Sequence, residues 1–177
     1  MTKLEVVESS ELNHVRLAEL RLLLDAAFPD QFSEADWEHT MGGHHVLLTI
    51  DGSMAAHAAV ISRTLHAVGR TIETGYVESV ATRPDLQGTG LASSVMQATG
   101  DLIRDKYDFG GLSTGAGDFY RRFGWESWQG LTYARDGSRL IRTPEDDDSL
   151  MVLRFGTTAK LDLRSPISCE ARSGDAW

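Results

Sequence analysis

The chain has 177 residues, 41% of them hydrophobic and 24% charged, the composition of one globular domain with a continuous core. Its 17 basic residues against 26 acidic ones give a net charge of −9 at pH 7, the wrong sign for gripping nucleic acid along its length. No apolar run approaches the roughly 18 residues of a membrane span, "MTKLEVVESSEL" has neither a cationic nor an apolar leader region, and a single cysteine, Cys169, excludes an internal disulfide framework. The expectation is a cytoplasmic protein with no membrane and no nucleic-acid partner; its acidity suits either a cationic substrate or plain solubility.

In chain order, "LEVVES" reads as a first strand. From Ser10, an expected N-cap, Leu17, Leu20, Leu24 and Ala27 follow helical spacing as far as Phe28. "FSEADWEHTMGG" reads as a short helix, with Ser33 and Asp36 at capping-box spacing and Gly42-Gly43 ending it. From His44 to Thr82, apolar segments alternate with Asp51-Gly52 and Gly69, the pattern of three strands in antiparallel hairpins. Leu91, Val95, Ala98 and Leu102 then share a helix face running to about Asp105, and "FGGLST" is strand-sized. "GDFYRRF" before Gly124 is a short helix on which Phe119 and Phe123 share a face and Tyr120 points elsewhere. "SLMVLRF" is a later strand and "CEARSGDAW" a polar tail. The order βαα-βββ-αβα-β predicts an α/β or α+β sheet with helices on both faces.

The stretch "YVESVATRPDLQGTGLASSV" carries the chemistry: a strand, a polar turn and a helix with glycines at its mouth. Such a turn cradles phosphate, because backbone N–H groups crowd an anion only where side chains are absent and the helix dipole adds positive potential. A nucleotide P-loop needs a lysine after its second glycine, and none follows here. A dinucleotide turn G-x-G-x-x-G fits Gly88 and Gly90 but finds Ser93 at its third glycine. The pattern Q/R-x-x-G-x-G/A is met without a misfit by Gln87, Gly88, Thr89, Gly90, Leu91 and Ala92. Six residues alone leave open that the glycines only shape a turn.

"ETGYVESVATRPDLQGTGLA", then a helix, a strand and "FYRRFGWE", resembles the GNAT superfamily of acetyl-CoA-dependent N-acetyltransferases over roughly residues 70 to 130. "DWEHTMGGHH", "HAAVISR", "GYVESVA", "RTPEDDD" and the terminal "RSGDAW", in the same order across essentially the whole chain, look like the aminoglycoside 2′-N-acetyltransferases. The resemblance implies a single GNAT domain over residues 1–177, with a central, mostly antiparallel mixed sheet, a splayed pair of strands and helices on both faces. It implies acetyl transfer from acetyl-CoA to the 2′-amine of an aminoglycoside antibiotic, which confers resistance, and a homodimer. Val80, Ala81 and Thr82 would offer main-chain groups to the pantetheine arm, while Gln87 to Ala92 surround the pyrophosphate of coenzyme A.

Amide formation requires the amine to lose its proton, so a carboxylate near the thioester is a natural base. Glu78, two residues before Val80 and so on the same strand face, is the candidate; a solvent-facing strand glutamate is the competing reading, and "GYVES" within the resemblance favours catalysis. Tyr120 is the candidate acid for the departing thiolate, against the commoner role of a core aromatic. The N–H of Val80 would hold the oxyanion. Carried over from the family, Asp36, Ser113, Asp146, Asp175 and the terminal carboxylate of Trp177 would form the acceptor pocket, with Ser79 and the Asp30-Gln31 pair beside them. Each has a competitor: Asp36 completes a capping box, "EDDD" is a solvated loop, the tail frays. His39, His44, His45 and His57 lie close in sequence but show no metal-ligand spacing, so no metal is expected.

Two places depart from the family pattern. Gln31 stands where an acceptor-binding aspartate is expected, with Asp30 displaced by one, and "LSTGAGDFY" is shorter before its tyrosine. Both lie on the acceptor side, which points to an atypical acceptor such as kasugamycin. Two other readings keep part of the argument: a GNAT enzyme acting on a different amine or peptide, and a non-catalytic acetyl-CoA-binding protein.

Overall fold

The alternating segment at the N-terminus forms β1 (Thr2–Glu8), paired antiparallel with β2 (His44–Ile50) from Thr2↔Ile50 to Glu8↔His44. In the computed structural model, which describes residues 1–177, the elements fall into two units: Met1–Ile61 with Val77–Asp101, and Ser62–Tyr76 with Leu102–Trp177.

In the first unit β2 turns into β3 (Ser53–Ala67) through Asp51 and Gly52, whose φ values of 49° and 84° give the mirror-image turn that strand twist favours. Helix α1 (His14–Ala27) begins later than its sequence suggested. Asn13 caps it, its Oδ1 accepting from the N–H groups of Val15 at 3.1 Å and Arg16 at 3.0 Å. Ser10 instead lies in a 3-10 turn, Ser9–Glu11, closed by the Glu8 N–H on the Glu11 carboxylate, so it cannot cap a helix. Helix α2 (Glu34–Thr40) has the expected capping box, and Gly42 at φ 89° follows it. Leu20, Leu23 and Leu24 of α1 pack with Leu12, Leu47, Met54 and Ala81 in the core of this unit.

In the second unit β3 reverses through Val68 and Gly69, both at positive φ, into β4 (Arg70–Thr82). The remaining strands are β5 (Phe109–Ser113), β6 (Glu126–Ser127), β7 (Thr132–Asp136), β8 (Arg139–Arg142), β9 (Leu150–Arg154) and β10 (Ile167–Glu170). They run in the order β6-β9-β5-β4-β3-β10-β7-β8. The β4/β5 and β10/β7 pairs are parallel; β5/β9, β6/β9, β7/β8 and β10/β3 are antiparallel, which makes the mostly antiparallel mixed sheet that was expected. The β4/β5 register covers Thr74–Tyr76 against Phe109–Gly111, and β4 itself continues to Thr82. Helix α3 (Leu91–Lys106) follows β4, and α4 (Gly117–Arg121) follows β5.

Four strands went unread. β7 and β8 form an Asp136-Gly137 hairpin whose second strand, "RLIR", is too short and too charged to show a period. β6 has two residues. The "polar tail" opens inside β10, where Cys169 is buried between β3 and β7.

Candidate active site

The first unit carries the glycine loop. Arg83 grips Asp85 through Nε and Nη2, at 2.7 and 3.1 Å, and the Arg83 N–H donates to the carbonyl of Ala55, fixing the start of the loop. Gln87, Gly88, Thr89 and Gly90 are exposed; Gly88 and Gly90 adopt φ 76° and 89°, a region that side chains resist. The first bonds of α3 run from the N–H groups of Ser93 and Ser94 to the carbonyl of Gly90, so those of Leu91 and Ala92 lie ahead of any intrahelical acceptor. An exposed turn without side-chain cover, at the N-terminus of a sixteen-residue helix, fits a pyrophosphate.

One strand earlier, Glu78, Ser79 and Val80 are half-buried on β4. The simple alternation that would put Glu78 and Val80 on one face is interrupted between them, because Ser79 turns into the left-handed region at φ 51°. A non-glycine residue pays about 1–2 kcal/mol for that conformation and keeps it only where neighbours hold it. Two do so. The Ser79 hydroxyl bonds to Thr40 Oγ1, which donates in turn to the Asp36 carbonyl at 2.7 Å. The Ser79 carbonyl lies 2.8 Å from Nδ1 of His57, a fully buried imidazole. His57 Nε2 is 3.0 Å from His45 Nδ1, and His45 Nε2 is 2.7 Å from Ser9 Oγ. Burial is the main cause that brings His57 down to about 3 and His45 down to about 4; His45 adds to the lowering of His57 and His44 to that of His45, while the Ser79 carbonyl opposes the shift of His57.

The expected acceptor residues divide. Asp36 Oδ2 accepts from both the N–H and the hydroxyl of Ser33 at 2.7 Å, so its capping role is realised. Asp30, at φ 59°, and Gln31 are exposed after α1. In the second unit, Ser113 Oγ donates to Ser149 Oγ at 2.9 Å, and Ser149 Oγ donates to the Asp146 carbonyl at 3.2 Å. Burial holds the Asp146 carboxyl above its ordinary range, Thr143 draws it back, and Glu145, Asp175 and Asp147 push it up again. Thr143 also accepts the indole N–H of Trp177 at 3.2 Å. Ser113 and Asp146 are thus linked through Ser149, Asp175 acts on the Asp146 carboxyl, and Trp177 joins Thr143 through its buried indole, not through the terminal carboxylate that was carried over. Thr143 and Ser149 have no mark in the sequence.

Asp147 differs from its neighbour. The Arg142 guanidinium and the N–H and hydroxyl of Thr132 hold it down at about 2, so this member of "EDDD" is a structural anchor and not a solvated charge. The tail does not fray: Arg63 donates to the Ala176 carbonyl at 2.6 Å, and Trp177 is 4% exposed. Phe119 and Phe123 do share a face, their ring centroids 5.3 Å apart, but both are half-buried and Tyr120 is the buried residue of α4. Five residues are too few for an apolar stripe of their own to decide which side chain is buried, and the Tyr120 ring packs edge-on against Phe119 with centroids 5.0 Å apart. Burial raises the Tyr120 phenol and a bond with Thr114 lowers it, the net shift being upward.

This fold and this loop define a class. Residues 11–128 match the acetyltransferase (GNAT) domain, and the chain belongs to that family. Over 176 residues it is 40% identical to the aminoglycoside 2′-N-acetyltransferase of Mycolicibacterium fortuitum, which spans 97% of this chain and 90% of that protein. Among solved structures, the GNAT family N-acetyltransferase YhbS from Escherichia coli, in complex with CoA, shares the fold with a TM-score of 0.69 at 17% identity, over 95% of this chain and 89% of that one. A GNAT family acetyltransferase from Brucella melitensis in complex with acetyl-CoA gives 0.62 at 17% identity, over 93% and 94%.

Proposed function

We infer that the chain transfers acetyl from acetyl-CoA to the 2′-amino group of an aminoglycoside, inactivating the antibiotic. The observation that carries this is the 40% identity to the Mycolicibacterium fortuitum enzyme along nearly the whole of both chains. The acidic corner around Thr143 supports it: a carboxyl kept above its ordinary range beside Glu145, Asp175 and Asp147 is a place an ammonium group relieves.

Bound acetyl-CoA supplies a thioester, an acyl group activated toward an amine. Gln87 to Ala92 hold its pyrophosphate with backbone N–H groups, and Val80 to Thr82 hold its pantetheine arm. Glu78 takes a proton from the acceptor's ammonium, directly or through water, so that a neutral amine attacks. The Val80 N–H faces the oxygen on which negative charge grows. Tyr120, a phenol that burial raises further above its ordinary value, gives its proton to the sulfur as the C–S bond breaks, and the remaining extra proton on the new amide nitrogen passes to the phenolate so formed or to water. Asp146, Asp175 and the Trp177 carboxylate pair with acceptor ammonium groups, and Ser113 with a hydroxyl.

Residues 1–177 act as one domain in this proposal, supported by a family match that runs through residues of both units. No helix is long and apolar enough to cross a membrane; the cytoplasm, where acetyl-CoA is made and used, is the proposed location. A homodimer would cover the exposed Val68, Leu131, Leu140 and Ile141 of the second unit. Gln31 in place of a carboxylate favours an acceptor with less charge there; kasugamycin, with a 2′-amine but no 2-deoxystreptamine ring, is the specific candidate.

The test is purified protein with acetyl-CoA and gentamicin, tobramycin, neomycin, kasugamycin and a 2′-hydroxy analogue, followed by thiol release and mass shift. Acetylation that needs the 2′-amine is expected, with E78Q lowering kcat about 100-fold or more. Turnover that persists on the 2′-hydroxy analogue, or only on an unrelated amine, overturns the acceptor; an unchanged kcat in E78Q overturns the base.

A further inference from the structure

The Ser9–His45–His57 chain ends on a main-chain carbonyl, and that end decides every proton along it. A carbonyl oxygen only accepts, so His57 Nδ1, 2.8 Å from the Ser79 oxygen, carries the hydrogen. A neutral imidazole has one N–H, so His57 Nε2 accepts from His45 Nδ1–H at 3.0 Å. His45 Nε2 then accepts from the Ser9 hydroxyl at 2.7 Å. The Ser9 oxygen in turn accepts from the N–H groups of Gly42 at 3.0 Å and Gly43 at 3.2 Å, while the Gly43 carbonyl takes the Ser9 N–H at 2.8 Å. The Ser9 hydroxyl also lies 3.1 Å from the Gly43 carbonyl, but only donation to His45 Nε2 satisfies every ring nitrogen of the series, and that orientation leaves both histidines as Nδ1–H tautomers. Such a chain is no proton shuttle, because its terminal carbonyl has nothing to do with a proton.

It does fix a peptide plane. The carbonyl of Ser79 and the N–H of Val80 belong to one planar trans unit, and no cis bond occurs in the chain, so the two groups point in opposite directions. Holding the Ser79 carbonyl toward His57 aims the Val80 N–H away from it, and a hydrogen bond on the carbonyl also polarises the amide toward stronger donation. The left-handed φ of Ser79, the Thr40 bond to its hydroxyl and the His57 bond to its carbonyl all act on this one plane.

We propose that His57 is a positioning residue for acetyl transfer: braced by His45 and Ser9, it clamps the Ser79 carbonyl and thereby aims the Val80 N–H at the developing oxyanion. This rests on the reading above that Val80 is the oxyanion donor. His57 touches neither substrate nor thioester in that role. Its reach through four consecutive groups explains why a polar side chain sits in the apolar run "AAHAAV".

Two measurements test it. Two-bond proton–nitrogen NMR correlations on the resting, nitrogen-15-labelled protein at pH 7 read the tautomers directly. Protonated Nδ1 and bare Nε2 on both His45 and His57 are expected, and a protonated Nε2 on His57 overturns the clamp, whatever the substrate. The second compares H57N, whose amide nitrogen can replace Nδ1 on the Ser79 carbonyl, with H57Q, whose amide reaches only toward His45. With acetyl-CoA and tobramycin, H57Q should lose at least about tenfold in kcat, with the KM for acetyl-CoA within about twofold, and H57N should recover most of that loss. Equal kcat losses in both variants, or none in either, overturn the link between the clamp and catalysis; E78Q, which bears only on the base, tells that failure apart from failure of the acetyltransferase reading.

Discussion

Lowering the pH should destabilise this protein well before its carboxylates protonate. His45 and His57 are 0% exposed, and burial holds them near 4 and 3 against an ordinary value of 6.5. The unfolded chain therefore takes up these protons first as the pH falls. Stability is whole above about pH 6.5, drains as the pH drops, and goes on draining until it reaches the folded values. Each group contributes a slope of about 1.4 kcal/mol per pH unit in that window, so the pair approaches about 2.7 between pH 6 and 5, and about 4 kcal/mol is lost from pH 7 to 5. Unfolded carboxylates are still largely ionised at pH 5, and Asp146, held above its ordinary range, acts in the opposite sense. Urea titrations followed by tryptophan fluorescence at half-unit steps from pH 7.5 to 5 supply the slope. In H57N it should fall to about half, since one of the two titrating imidazoles is gone. A slope that is the same in wild type and H57N would refute the claim that these buried rings stay neutral in the folded chain.

Gly90 sits at φ 89° with open space where a Cβ would be, so Gly90→Ala meets no protein atom and pays only the backbone cost of about 1–2 kcal/mol. Calorimetric titration with coenzyme A should show about tenfold weaker binding; undiminished affinity would mean the loop does not hold the pyrophosphate. Trp177→Ala removes a side chain that is 4% exposed and packs in the second unit's core with Trp128 and Ile167, which should cost about 3–5 kcal/mol in thermal unfolding. A loss below about 1 kcal/mol would show that the tail adds nothing to that core.

What the sequence determined on its own is local. A glycine's positive φ, a Ser-x-x-Asp cap, an Asp-Gly turn and a 3.6-residue apolar period depend on atoms within one or two turns of chain, so the hairpins, the capping box of α2, the span of α3 and the exposed glycine turn before it were all legible. The motif order likewise carried the family. The short pieces were not legible: "RLIR" and the two residues of β6 are strands only because neighbours supply their ladder partners, and five residues of α4 carry too little pattern to show that Tyr120 is its buried side chain. Tertiary structure alone separated Asp147, tied to Arg142, from Asp146, left with a raised carboxyl one residue earlier. It alone also joined Ser9, His45, His57 and Ser79, which lie up to 70 residues apart, into one directed chain of hydrogen bonds. The physical reason is the same in both cases: what a buried polar group does depends on the partner that satisfies it, and that partner is brought by the fold from elsewhere in the chain.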